Sequence, residues 1–247
     1  MTLNFNNRVI NVDELATWPP QLLKRVQGVA QTVPSSIKYV PDLPRARTQE
    51  EEDDFRSLFQ GHRLRAYHAT RLFDHEVGMI RGHGLRALTA KLISDRIEAA
   101  YKRLEISDEE RVLLHQVNVF AAGKEQSRAN QVCLFLGQDE LLHNSGVTSF
   151  LRTWGGEGIY WLPDYAGELH SRLTQLGKPA LVVVDLELDD TLICSPELQQ
   201  LFVAKLLGIR DATATVNVKN SISFDQIAAI WQPGQSEYDR FSHLPSM

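Results

Sequence analysis

The chain has 247 residues, of which 43% are hydrophobic and 23% charged, with a formal net charge of −5. This is a globular composition with enough length for a real core, and the acidic balance excludes a global pull toward nucleic acid or anionic membranes, though not a local basic groove. The longest purely apolar run, Ala180 to Val184, is far short of the ~20 residues a membrane span needs. The opening MTLNFNNRVINVDEL has no basic stretch followed by an apolar one, so neither a signal peptide nor a membrane partner is expected, and a cytoplasmic location is.

Residues 1–60 read as an N-terminal helical extension. Leu15, Trp18, Leu22, Leu23 and Val26 have rough helical spacing, and Pro19-Pro20 suits a helix start. A proline-containing connector follows. The acidic run at 50–54 reads as the first turn of a helix that turns Phe55, Leu58 and Phe59 inward.

The body, 61–235, alternates strands and helices as a mixed α/β chain. LRAYHAT, from Leu64 to Thr70, predicts a strand with Leu64, Ala66, His68 and Thr70 on one face and Arg65, Tyr67 and Ala69 on the other. Asp74 is expected to cap a short helix carrying Val77 and Ile80, ended by Gly82 and Gly84, with a short strand at Leu85 to Leu88. Helical sequence runs over 89–119 with a break near Ile106, where Ser107 caps the second half. Further strands are predicted at 131–136, 158–162, 180–188 and 214–218, with a helix near 164–176 and a turn into a last strand in SISFDQIAAIWQP. The tail, 236–247, reads as polar and loose. Cys133 in VCLFL and Cys194 in TLICSP share no motif spacing and are expected to be buried thiols rather than a disulfide.

The chemistry concentrates in YHATRLFDHEVGMIRGHGLRAL. A histidine on a strand, with a hydroxyl two residues on, can hydrogen-bond a ligand hydroxyl from a rigid platform. This segment resembles the first motif of the ADP-ribosyltransferase superfamily, in which a strand bearing His-x-Ser/Thr precedes a helix and an Ile-x-x-x-Gly-Leu turn: here His68, Thr70, Ile80, Gly84 and Leu85. GGEGIYWLPDYAGELHSRLTQLGKPALVVVDLEL is similar to the family's middle section, and SISFDQIAAI to its closing turn, so the resemblance covers about 62–232.

The resemblance implies an α+β fold with a split mixed sheet, flanking helices, and NAD as the substrate. Breaking the nicotinamide–ribose bond builds positive charge on the ribose, which a carboxylate stabilises while a histidine holds the sugar and a tyrosine stacks on nicotinamide. Carried over, His68 is the ribose histidine and Tyr160 the stacking ring. The Ala69 backbone holds the nicotinamide amide, and Tyr67, Thr70 and Arg71 are its neighbours in the NAD site. The family's late-strand glutamate has no counterpart in DATATVNV, and Glu157 in Trp154-Gly155-Gly156-Glu157 is the best substitute, entering a strand beside Tyr160. A second register makes VCLFLG the middle motif, with Phe135 in place of the tyrosine; it keeps His68 and Glu157. Glu187 and Glu237 are weaker candidates, and Arg71 and Arg128 are candidates to grip the NAD pyrophosphate.

On this resemblance the expected activity is ADP-ribosyl transfer to nucleic acid or protein, as in bacterial toxins and antiviral (phage-defence) effectors, with an antitoxin or regulatory protein as a further partner. The alternatives are a catalytically degenerate binding module of the same fold and an RNA 2′-phosphotransferase, which needs several basic residues in its cleft. Other motifs fail on their own terms. ELDDTL puts Glu187 where a phosphatase nucleophile needs aspartate, and in His75-Glu76 the second zinc-protease histidine position holds Met79. His62, His68, His75 and His83 lack metal-ligand spacing.

Overall fold

A computed structural model describes residues 9–123, 128–142, 147–159, 167–188, 192–210 and 212–245. After a two-residue strand β1 (Val9–Ile10), Pro20 occupies the first turn of α1 (Pro20–Ala30), where its missing N–H costs nothing, and Leu22 and Val26 are buried one turn apart. Thr48 caps α2 (Gln49–Ser57) by accepting from the Glu51 N–H, and Glu50, Glu51 and Glu52 sit at the positive end of the helix dipole. Strand β2 (Arg63–Leu72) leads into α3 (Asp74–His83), α4 (Ala90–Lys102) and α5 (Asp108–Val117). Ser107 caps α5 in a reciprocal box with Glu110, as the sequence predicts.

Next come β3 (Val132–Leu136), the short helices α6 (Asp139–Leu142), α7 (Val147–Arg152) and α8 (Gly167–Leu173), then β4 (Lys178–Glu187) and β5 (Leu192–Ser195). Helix α9 (Leu198–Leu207), β6 (Ala214–Val218), β7 (Ile227–Trp231) and α10 (Ser236–Asp239) complete the chain. The strands form one sheet in the order β5-β6-β3-β2-β4-β7, antiparallel at every step, with β1 lying parallel against β2 off this path. The fold is α+β.

The pairing of β2 positions the site. On one side β2 pairs with β4 along its whole length, from Arg63↔Glu187 to Leu72↔Lys178. On the other side it meets β3 at a single position, Tyr67↔Phe135. The sheet therefore opens between these two strands one residue before His68.

Four expectations about local structure are corrected. Asp74 is the first residue of α3 rather than its cap; the residue before it, Phe73, has its N–H satisfied by the Glu76 carboxylate. Leu85 to Leu88 is no strand: only Leu85 pairs, as an isolated bridge with Ile222. Gly158 lies in a 3-10 turn, Gly156–Gly158, and the rest of the expected strand at 158–162 falls from residue 160 onward outside the described residues, Tyr160 included. The tail is tied down, not loose: Tyr238, Phe241 and Leu244 are buried on the sheet together with Tyr67 and Phe135.

Residues 9–60 are part of the core rather than an appendage. Trp18, Leu22, Val26, Phe55 and Phe59 share one hydrophobic cluster with Leu64 and Ala66 of β2 and with α9, and the Phe202 ring of α9 meets Trp18 at 4.7 Å and Phe59 at 5.3 Å. Each such side chain contributes roughly 1.5–3 kcal/mol of burial. Helix α9 was not foreseen. Seven of its residues, from Leu198 to Ala204, are buried, Gln199 and Gln200 among them, so it is enclosed on all sides and carries no stripe to betray a helical period.

Candidate functional site

Residues of β2 with even numbers face α9 and the N-terminal region as far as Ala66; beyond it, His68 and Thr70 face a cleft. The cleft has two lobes that share His68, Thr70, Leu85, Arg86, Leu92 and Arg96. One lobe, about 140 Å³, lies between α3 and α4 and is mostly apolar, with Met79, Ile80 and Ala99 in its wall. The other, about 60 Å³, is mixed in character and runs over Gln131, Cys133 and the turn Gly155–Gly158 that carries Glu157. His68 and Glu157 thus line one cavity although far apart in sequence.

Two glycines shape the walls. Gly84 has a φ of +82°, and a Cβ there would run into the Ile222 carbonyl; this lets Leu85 exchange two hydrogen bonds with Ile222, at 2.9 and 2.7 Å, and hooks the end of α3 to the loop before β7. Gly155, at φ +100°, turns the chain so that Glu157 points back toward β2, and a Cβ there would collide with the Ile159 side chain.

His68 is half-buried, and its Nδ1 lies 2.8 Å from the Cys133 carbonyl, bridging the opening where the strand ladder stops. A carbonyl only accepts, so Nδ1 carries the proton. Loss of water pulls the ring pKa below its ordinary 6.5; the Cys133 carbonyl and Glu157 oppose this and Arg96 adds to it. The neutral ring therefore offers Nε2 as a lone-pair acceptor, with no partner among the described residues. It accepts a hydrogen bond from a ligand hydroxyl. The Thr70 hydroxyl, on the same face, has no partner among the described residues either.

The Glu157 carboxylate is nearly buried, 10% exposed, and Arg128 Nη1 donates to its Oε1 at 2.7 Å. It sits in a 3-10 turn, not in a strand. Beside it, burial pushes the Cys133 thiol up to about 12, and Cys194 is raised likewise to about 12; both are free and half-buried.

Under the cleft lies a network that the sequence reading missed. Arg96 Nε donates to Glu76 Oε1 at 2.6 Å, while Trp154 Nε1 and the Phe73 N–H donate to Glu76 Oε2, each at 2.9 Å. Burial works to raise the Glu76 carboxyl, but Arg96 and the other donors outweigh it and hold it below the ordinary range. Arg96 also lies 5.1 Å over the Trp154 ring, and its Nη2 is a buried donor without a partner. A charge pair across two helices leaves no local pattern; its only trace is the acid beside His75.

Other expected binding residues lie elsewhere. Tyr67 is fully buried on the opposite face, stacked on Phe135 with ring centroids 5.6 Å apart, so its side chain does not reach the cleft. Arg71 points the same way, with Nε donating to the Leu176 carbonyl at 2.6 Å and Nη1 to that of Leu151 at 3.3 Å. It is a structural clamp and does not grip a ligand of this cleft. Ala69 also faces that side, though its backbone runs beside His68. Glu187 pairs with Arg63 at the far end of β2, and Glu237 lies exposed on α10. The cleft arginines are Arg86, paired with Asp95, and Arg96. No helix among the described residues is long and apolar enough to cross a membrane. No protein-family model, curated protein or solved structure matches the chain.

Proposed function

We propose that the protein is an NAD-consuming ADP-ribosyltransferase acting on nucleic acid or protein, with a toxin or antiviral-defence role. One observation carries the reading: His68 and Glu157, the two residues the family resemblance selects, line one cleft at the place where the sheet opens. The unpartnered atoms around it suit such a ligand. His68 Nε2 and the Thr70 hydroxyl are free for ribose hydroxyls, Arg96 Nη2 is an unmet donor for an anionic group, and the apolar lobe takes a base. In the reaction the C1–nitrogen bond of the nicotinamide riboside breaks, and nicotinamide leaves with the bonding pair. The acceptor's nucleophile then bonds to C1. The Glu157 carboxylate stabilises the positive ribose once Arg128 lets it go.

That same ion pair favours a second reading, a catalytically degenerate module that binds without chemistry, because a carboxylate held by an arginine does not face a sugar. Nicotinamide release from NAD by the purified protein, compared with His68→Ala and Glu157→Gln, separates the two. The enzyme reading expects release that both substitutions sharply lower; equal rates in all three proteins discard it. Turnover seen only with a 2′-phosphorylated RNA assigns the cleft, with Arg86 and Arg96, to a phosphotransferase instead.

A further inference from the structure

The Arg128–Glu157 pair is lopsided. The carboxylate is 10% exposed and lines the smaller lobe of the cleft, whereas the guanidinium side chain is 27% exposed and lines neither lobe. Arg128 therefore reaches Glu157 from beside the cleft rather than from within it. An anion bound inside the cleft meets Arg86 and Arg96, which line both lobes, and not Arg128.

Arg128 shares its rim with other cations. Three segments are hydrogen-bonded to one another here. The Leu88 N–H donates to the Gln131 carbonyl at 3.0 Å, and the Leu88 carbonyl accepts from the Asn130 N–H at 2.8 Å. The Ala87 N–H donates to Ser221 Oγ at 3.1 Å, and Val132 pairs with Val218. These bonds gather Arg86, Arg128 and Lys219 beside Gln131 and Val132, which line the smaller lobe. Arg86 and Lys91 share one acid, Asp95, at 3.2 and 2.8 Å, and Lys219 is exposed. Against Arg86, Lys91, Arg128 and Lys219 stand the acids Asp95 and Glu157, so this rim is locally basic in a chain of net charge −5.

We propose, resting on the ADP-ribosyltransferase reading, that the acceptor is a nucleic-acid strand and that Arg128 couples its arrival to catalysis. The strand lies along the rim, one of its phosphates takes the Arg128 guanidinium, and Glu157 is freed to face the ribose. Pulling Arg128 away with nothing in return would strand a nearly buried carboxylate, which is costly. The exchange keeps every charge paired: phosphate replaces carboxylate on the arginine, and the positive ribose replaces the arginine on the carboxylate. It makes and breaks no covalent bond. A lone carboxylate on a peptide offers Arg128 nothing that Glu157 does not already give. A strand also brings phosphates to Arg86, Lys91 and Lys219 and releases its condensed counterions, which lets it displace an acid already in place. Without a strand the pair stays closed and NAD turns over slowly.

Two measurements on the full chain test this. The first, binding of a fluorescent mixed-sequence single-stranded RNA and of the DNA of the same sequence, needs no NAD. Arg128→Gln is expected to weaken binding by about 10-fold, and Glu157→Gln to tighten it several-fold because the arginine loses its competitor; the double variant binds like Arg128→Gln. In the second, the strand is expected to raise the slow nicotinamide release of wild type by about 10-fold, while Arg128→Gln releases faster than wild type without it and gains nothing from it. Circular dichroism checks folding; should Arg128→Gln unfold, the gain in Glu157→Gln and the strand dependence of wild-type release decide. Equal binding by all the proteins, or wild-type release indifferent to the strand, overturns the proposal and leaves the transferase reading intact. The same effects from a poly-glutamate peptide and not from the strands overturn it in favour of a protein acceptor. No release from any protein under any condition sinks the transferase reading and the acceptor role with it, while binding still decides whether a strand and Glu157 compete for Arg128.

Discussion

The two faces of β2 carry polar side chains at neighbouring positions and treat them in opposite ways. On the odd face, the Tyr67 hydroxyl accepts from Gln138 Nε2 at 2.7 Å, and Arg71 spends its guanidinium on two main-chain carbonyls. On the even face, His68 has one ring nitrogen bound and the other open, and Thr70 has a hydroxyl with no partner among the described residues. A buried polar group whose bonds are met within the protein serves the fold; one left unmet beside a cavity waits for something else. By this criterion Arg71, which sequence reasoning assigned to a phosphate, belongs to the fold, and Arg96, which it passed over, belongs to the cleft.

The sharpest way to break the contrast is Arg71→Ala. It leaves the Leu176 and Leu151 carbonyls without their donor and removes packing. The expected loss is about 3 kcal/mol in urea unfolding, with nicotinamide release per folded molecule unchanged. Full stability with lost turnover would move Arg71 to the ligand side and reverse the assignment. The mirror-image change, His68→Ala, is expected to lower nicotinamide release by about 100-fold, equivalent to about 2.7 kcal/mol in the barrier, and to shift stability by less than about 1 kcal/mol. Its pH dependence has a fixed sign. The ring acts neutral and its pKa lies below 6.5, so activity falls on the acid side as pH drops through that lowered value, and the limb at that pKa disappears in the variant.

How much of this was legible in the sequence follows from the range of each signal. Strand β2 was readable because alternation over seven residues, Leu64 to Thr70, is local, and the cap at Ser107 because a capping box spans four positions. His68 and Glu157 were readable as a motif and a glycine-flanked acid. Helix α9 was not, since burial on every side erases the amphipathic period. The tail was misread because its apolar anchors Tyr238, Phe241 and Leu244 are spaced by polar residues, and only the sheet they land on explains them. The Glu76–Arg96 pair joins two helices 20 positions apart, and no local pattern could announce it.

That pair yields a prediction of intermediate size. Glu76→Gln keeps an acceptor for Trp154 Nε1 but leaves the Arg96 charge without its partner, at a cost of about 2 kcal/mol near neutral pH. The pH sign follows from the lowered carboxyl. Its stabilisation is complete above the ordinary value of 4.5 and is lost as pH falls through the depressed folded value, because the unfolded state takes up its proton first. The difference in unfolding free energy between wild type and Glu76→Gln should therefore shrink as pH falls below 4.5. A constant difference would mean that the carboxylate is not what holds Arg96.

The smallest expected effect sharpens the contrast from the satisfied side. Burial pushes the Tyr67 hydroxyl up to about 12, so it stays protonated and neutral at physiological pH. Tyr67→Phe keeps the ring on Phe135 and removes one bond, that from Gln138, whose Oε1 still accepts from Arg240 at 3.2 Å. The expected cost is about 1 kcal/mol, with no change in nicotinamide release. A Tyr67→Phe protein of native stability that turns over NAD several-fold more slowly would show that the two faces communicate through β2. Satisfaction of hydrogen bonds would then no longer separate the residues that build this sheet from those that serve its cleft.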